Sequence, residues 1–161
     1  MKKTVFLSII LLLVISFSVI CTISYNSTDG KSWQSRQRII RKYYRNAQIF
    51  SSSCLGEKCN LMAEVFVVEN KTGLALFKEG DSGRFELMEI ETISEEGIVV
   101  MEVFVDNKYY YIGTIDRNVK SATVELKCNT PGLCCVKEDV LAYDIFKVEK
   151  PSKQHRFSVR F

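Results

Sequence analysis

Three of the chain's six cysteines, Cys128, Cys134 and Cys135, fall inside the stretch CNTPGLCCVKEDVLAY, and two more, Cys54 and Cys59, have four residues between them. Thiols at such spacing can hold a metal, shuttle electrons or form disulfides. Zinc wants paired Cys/His clusters with short internal spacing. Cys54-x4-Cys59 and Cys128-x5-Cys134 are looser than that, and the single histidine, His155, is remote from both. A redox pair needs Cys-x-x-Cys in an electropositive setting, and the sequence holds no such motif. Disulfides remain, either local or between the two clusters. Adjacent Cys134 and Cys135 on a strand would point to opposite faces, so that one is buried and the other exposed. No metal and no cofactor is expected.

Nor do the other reactive side chains assemble into an enzyme. A Ser-His-Asp or Cys-His arrangement would have to recruit His155 from the basic segment KPSKQHR near the C-terminal end. Neither a glycine-rich phosphate loop nor a His-Glu metal motif occurs. Glu89, Glu91, Glu95 and Glu96 alternate with apolar residues or sit in a turn, as solvated strand and turn positions do.

The redox state of the thiols depends on the compartment. Lys2 and Lys3 precede an uncharged, apolar run from Thr4 to Tyr25. That pattern reads as a secretory signal peptide over residues 1–24, with small-residue contexts for cleavage near Cys21 and Ser24. The competing reading is an uncleaved membrane anchor, helped by the basic residues that follow. Two sequons, at Asn26 and Asn70, suit an exported chain. Cleavage would leave 137 of 161 residues and five cysteines, and would reduce the net charge from +3 to +1. That is enough chain for one domain, and an odd cysteine count implies a free thiol or an intermolecular bridge. A charge so near neutral excludes nucleic acid as a partner on bulk electrostatics. Residues 31–45 nevertheless carry six Lys or Arg and no acid, a local patch suited to a polyanion.

The elements that must position these residues are mostly strands. Met62–Val68, Gly73–Phe77, Phe85–Thr92, Gly97–Val105, Tyr109–Ile115, Val119–Leu126, Cys135–Leu141, Tyr143–Val148 and Arg156–Phe161 are short runs rich in β-branched and aromatic residues. Turn residues separate them at the spacing of a sandwich or barrel. One helix is expected over Ser35–Ala47, with Ser35 as N-cap and Ile39, Ile40, Tyr43 and Tyr44 as its apolar stripe. The chain reads as an all-β domain preceded by a polar segment, residues 26–35.

Residues 85–146, from FELMEIETISEEGIVV to CCVKEDVLAYDIF, resemble the middle of a fibroblast growth factor, with the keratinocyte growth factor branch nearest in pattern. The similarity is carried by Leu87-Met88-Glu89-Ile90, Gly97-Ile98-Val99-Val100, Tyr110-Tyr111-Ile112-Gly113, Asp116 to Ser121, Cys134-x-Val136-x-Glu138 and Tyr143. Upstream, Arg41-Lys42-Tyr43-Tyr44-Arg45-Asn46 is similar to the family's first strand. Tyr44 stands where the family has a cysteine, the Cys54–Cys59 segment reads as an insertion, and the similarity runs out before the family's last strands and basic loop.

The resemblance implies a β-trefoil over residues 41–161, incomplete or with a rebuilt last repeat, after a flexible basic arm at 25–40. It implies receptor contacts at Tyr43, Glu138 and Tyr143. It also implies a heparan sulfate site at Asn46 with Arg41, Lys42 and Arg45, joined by Lys153 and Arg156. Cys134 would be the family's buried strand cysteine, leaving Cys135 to pair with Cys128 or Cys59. The function implied is a secreted ligand of a cell-surface receptor tyrosine kinase, assisted by heparan sulfate. The alternative is a secreted, disulfide-stapled β-module that binds and sequesters another protein such as a cytokine, using the Cys54–Cys59 insertion and the apolar strand Val65–Val68.

Overall fold

The computed structural model describes residues 14–15, 29–56, 58–93, 97–128, 135–151 and 154–161, the side chains of Cys128 and Cys135 excepted. Most of the expected signal segment 1–24, together with Asn26, Cys134 and Lys153, lies outside these residues. No helix among the described residues is long and apolar enough to cross a membrane.

The described residues are mostly β-strand, with a short helix ahead of the strands. Helix α1 (Trp33–Tyr43) is followed by β1 (Gln48–Leu55), β2 (Leu61–Val68), β3 (Lys71–Glu79), β4 (Phe85–Thr92) and β5 (Ile98–Val105). Then come β6 (Lys108–Ile115), β7 (Ser121–Cys128), β8 (Cys135–Leu141), β9 (Phe146–Glu149) and β10 (His155–Arg160). They form three antiparallel sheets of unequal size, ordered β1-β2-β3-β4, β5-β6-β9 and β10-β7-β8. Two-residue turns join the tightest hairpins. Glu69-Asn70 and Asp106-Asn107 all have positive φ, the backbone that matches the twist of flanking strands and that Asn and Asp tolerate best.

Side-chain alternation stacks these sheets into layers. In β5, Val99, Met101, Val103 and Val105 join Leu61, Ala63, Val65, Leu74 and Leu76 of the four-stranded sheet in one core. The opposite face of β5-β6-β9, with Ile98, Val100, Ile115, Phe146 and Val148, packs on Ala122, Val124 and Leu126 of β7. On the far side of the four-stranded sheet, Ile40 of α1 and Ala47 cover Phe66, Val68, Ala75 and Phe77. Strands β2 and β3 are therefore buried on both faces, which explains their nearly unbroken apolar sequence. Two glycines permit close packing across strands. A Cβ on Gly73 would lie 2.3 Å from the ring of Phe66, its register partner, and a Cβ on Gly113 would lie 2.3 Å from the ring of Phe146, also its partner.

The helix begins earlier than its sequence predicts. Ser32 is the N-cap and accepts a bond from the Ser35 amide at 3.2 Å, satisfying one of the orphan donors of the first turn. Ser35 itself is buried and accepts from the Gly30 amide at 2.8 Å. The helix ends at Tyr43, with Arg41 and Lys42 in the last turn complementing its dipole. Residues 41–46 are thus a helix end and a turn, not the first strand that the growth-factor resemblance implies. Nor does the expected flexible arm extend to residue 40, because residues 33–40 form a helix packed on the sheet.

A buried ion pair fastens that helix. Arg36 donates from Nε to a carboxylate oxygen of Glu64 on β2, and Ser52 of β1 donates to the other oxygen. The guanidinium also donates from Nη1 to the carbonyls of Gly30 and Lys31, at 2.8 and 2.9 Å. Burial pushes the Glu64 carboxyl above its ordinary value, outweighing the Ser52 hydrogen bond and the Arg36 charge that pull it down. Arg36 therefore leaves the basic surface patch that the sequence suggests and becomes part of the core.

Candidate partner-binding surface

Strand β1 was not expected from its sequence, since Ser51-Ser52-Ser53 breaks the apolar pattern, yet it positions the candidate site. It is an edge strand, paired only with β2 in its sheet. Ile49 opposes Phe66 and Ser51 opposes Val65, so Phe50 is the extra residue of a β-bulge. Bulges bend an edge strand and re-aim a side chain, and they are common beside functional sites. Here the bulge leaves Phe50 58% exposed.

Phe50 meets the turn that follows β8. Tyr143 stands there with φ +68°, an uncommon backbone for a bulky residue. Its ring stacks on that of Phe50, with centroids 5.0 Å apart and planes at 17°. Tyr143 is half-buried and, like Ile145, packs against the core between the sheets. Two local irregularities of the backbone thus converge on one aromatic pair.

Beside the pair lies a groove of about 280 Å³, lined by Ser51, Ser52 and Ser53 on one wall. Glu138, Asp139, Val140, Asp144, Ile145 and Phe146 line the other. Glu138 and Asp144 are exposed, while Asp139 accepts a 2.8 Å bond from Thr123 Oγ1. Hydroxyls and carboxylates beside an aromatic stack suit a cationic side chain, and a guanidinium in particular, which can bind a carboxylate and lie against a ring.

Of the receptor contacts that the resemblance implies, the structure brings Glu138 and Tyr143 into this one neighbourhood. Tyr43 is 63% exposed and sits on the last turn of α1. Phe50 was missed in the sequence, and its only signal there was an aromatic residue ahead of a serine run.

The basic residues are divided. Arg41, Lys42, Arg45 and Asn46 are exposed at the end of α1 and in the following turn. Arg41 also donates from Nε to the Ala47 carbonyl at 2.9 Å, closing that turn. Arg156 is exposed on β10, opposite Lys127 of β7, and so belongs to another sheet.

Cys54 and Cys59 form a disulfide that closes the β1–β2 connection, with Cα atoms 5.1 Å apart. The bridge is local, so Cys59 is not the partner of Cys135. Of the two glycosylation candidates, Asn70 is exposed in the β2–β3 turn. Val65, Phe66 and Val68, offered as a binding strand in the sequestering alternative, are buried in the two cores. Among the described residues, no group of three or more His, Cys, Asp or Glu side chains is arranged to hold a metal ion. No family model, no curated protein and no solved structure matches the chain.

Proposed function

We propose that the chain is a secreted, non-catalytic ligand that engages a cell-surface receptor tyrosine kinase of the fibroblast growth factor receptor type, with heparan sulfate as an auxiliary partner. What supports this reading is the Phe50–Tyr143 stack beside Glu138 at a carboxylate-lined groove. Rigid aromatics are efficient anchors at protein interfaces, and a carboxylate next to them gives a partner's arginine a directional contact. The exposed Arg41, Lys42 and Arg45 offer sulfated chains a local positive surface. The growth-factor reading carries as its finer fold a β-trefoil that is incomplete or has a rebuilt last repeat. A series of short antiparallel hairpins is common ground with it.

The test is surface binding of the secreted chain to growth-factor receptor ectodomains, with and without heparan sulfate, using Phe50→Ala and Glu138→Lys as comparisons. Binding that both substitutions weaken supports the proposal. No binding at micromolar concentration overturns it. The sequestering alternative keeps the same groove but a soluble partner, and recovery of a cytokine rather than a receptor by the immobilised chain would favour it.

A further inference from the structure

We propose that Asn70 is N-glycosylated in the secretory pathway, before strands β2 and β3 close on one another. The inference shares the premise of export with the proposed function and adds a covalent site to it.

Asn70-Lys71-Thr72 satisfies the acceptor pattern. Asn70 is the second residue of the two-residue β2–β3 turn, with φ +69°, and Glu69, Asn70 and Lys71 are all exposed. A bulky polar glycan there projects into solvent and disturbs no packing. Thr72 has the opposite environment. It is 0% exposed, its Oγ1 is buried without a hydrogen-bond partner, and its carbonyl accepts from the Ile93 amide at 2.7 Å. A buried hydroxyl with no partner destabilises a fold, and valine would fill the same shape without it. The folded protein thus makes no use of the group that the glycosylation sequon requires. That requirement can be met only while the strand is open, because the transferring enzyme must reach the hydroxyl.

In the transfer, Asn70 Nδ2 bonds to C1 of an oligosaccharide carried on a lipid diphosphate. The C1–oxygen bond to the diphosphate breaks, its electron pair leaves with the lipid diphosphate, and one amide proton passes to a base. Nothing is oxidised or reduced. Thr114 supplies a control, since its Oγ1 is also buried without a partner but it lies in no sequon.

The experiment is translation of the full chain in the presence of microsomes, in an Asn26→Gln background that removes the other sequon. The expected product is a protease-protected chain heavier by one glycan and restored to its bare mass by peptide N-glycosidase. Asn70→Gln and Thr72→Val should abolish the mass shift, whereas Thr72→Ser and Thr114→Val should retain it. In a second arm, unglycosylated chain is offered to solubilised microsomes with lipid-linked oligosaccharide. The reduced, unfolded chain should accept the glycan and the folded chain should not. A protected chain without a glycan overturns this inference alone. Equal modification of folded and unfolded chain overturns its timing. A chain that stays outside the microsomes overturns the export on which both readings rest.

Discussion

Phe50 and Tyr143 stack face to face across 93 residues of sequence, joining the bulge of β1 to the turn after β8. Because Phe50 is largely exposed, Phe50→Ala should change the melting temperature little and bear chiefly on partner binding. If this pair is an interface anchor, its truncation should cost about 2 kcal/mol of binding free energy. Surface binding and thermal melting of the same variant separate the two effects. A large loss of stability with unchanged binding would assign the stack to folding instead.

Arg36 should be the most sensitive charged residue in the chain. Arg36→Met strands the fully buried Glu64 carboxylate, and breaking a buried pair in this way typically costs about 3–5 kcal/mol. Arg36→Met combined with Glu64→Leu should recover much of that loss, because neither charge is then left unpaired. Denaturant titration of the three variants provides the measurement, and equal losses in single and double variants would contradict it.

The raised Glu64 carboxyl gives stability a definite pH dependence. The folded state holds the Glu64 proton at pH values where the unfolded chain has released it. This contribution is complete below the ordinary glutamate value and is lost as pH rises through the higher, folded value. Relative to Glu64→Gln, the native chain should therefore gain stability on mild acidification through that window. Carboxyl-carbon NMR should place the Glu64 titration above that of exposed glutamates, and a midpoint below them would reverse the sign.

These expectations show what the sequence makes legible. The bounds of Phe85–Thr92 and Cys135–Leu141 follow from alternation and turn residues, and the structure has the same bounds. Strand β1 does not follow, because an edge strand needs apolar residues on one side at most, and Ser51–Ser53 satisfies its hydrogen bonds as well as valine would. Sequence alone does not place the helix cap, because Ser32 and Ser35 are equivalent on paper, and only the Gly30 contact distinguishes them. Glu138 and Tyr143 were named from a resemblance. Their meeting with Phe50 is tertiary, and no local pattern encodes it.

Removal of the Cys54–Cys59 bridge by double substitution to serine should destabilise the chain moderately. The bridge spans five residues of sequence, so the loop-entropy contribution is about 2 kcal/mol. Reversible unfolding of oxidised and substituted chains measures it. A loss several times larger would mean that the bridge holds β1 in place rather than merely limiting the unfolded chain.

Heparin affinity should reside at the end of α1. Elution of the chain from heparin should shift to lower salt when Arg41, Lys42 and Arg45 become alanine, since such binding is chiefly electrostatic and is screened by salt. Arg156→Ala should have a smaller effect, being carried by a different sheet. Retention that is unchanged in the triple variant would remove heparan sulfate from the list of partners.

Each glycine described above is hemmed in twice: Gly73 by the Phe66 ring and the Glu91 carbonyl, Gly113 by the Phe146 ring and the Val99 carbonyl, these oxygens lying 2.7 and 2.5 Å from where a Cβ would stand. A smaller residue opposite removes the clash with the ring but not the clash with the carbonyl, so no side chain fits at either glycine while the strands keep their spacing. Evolution along this lineage should therefore hold glycine at positions 73 and 113, while positions 66 and 146 vary among residues that fill the space above it. Descendants and cousins of this chain are best sought by these two glycines held within apolar strands, a pattern that survives after the surrounding letters have diverged.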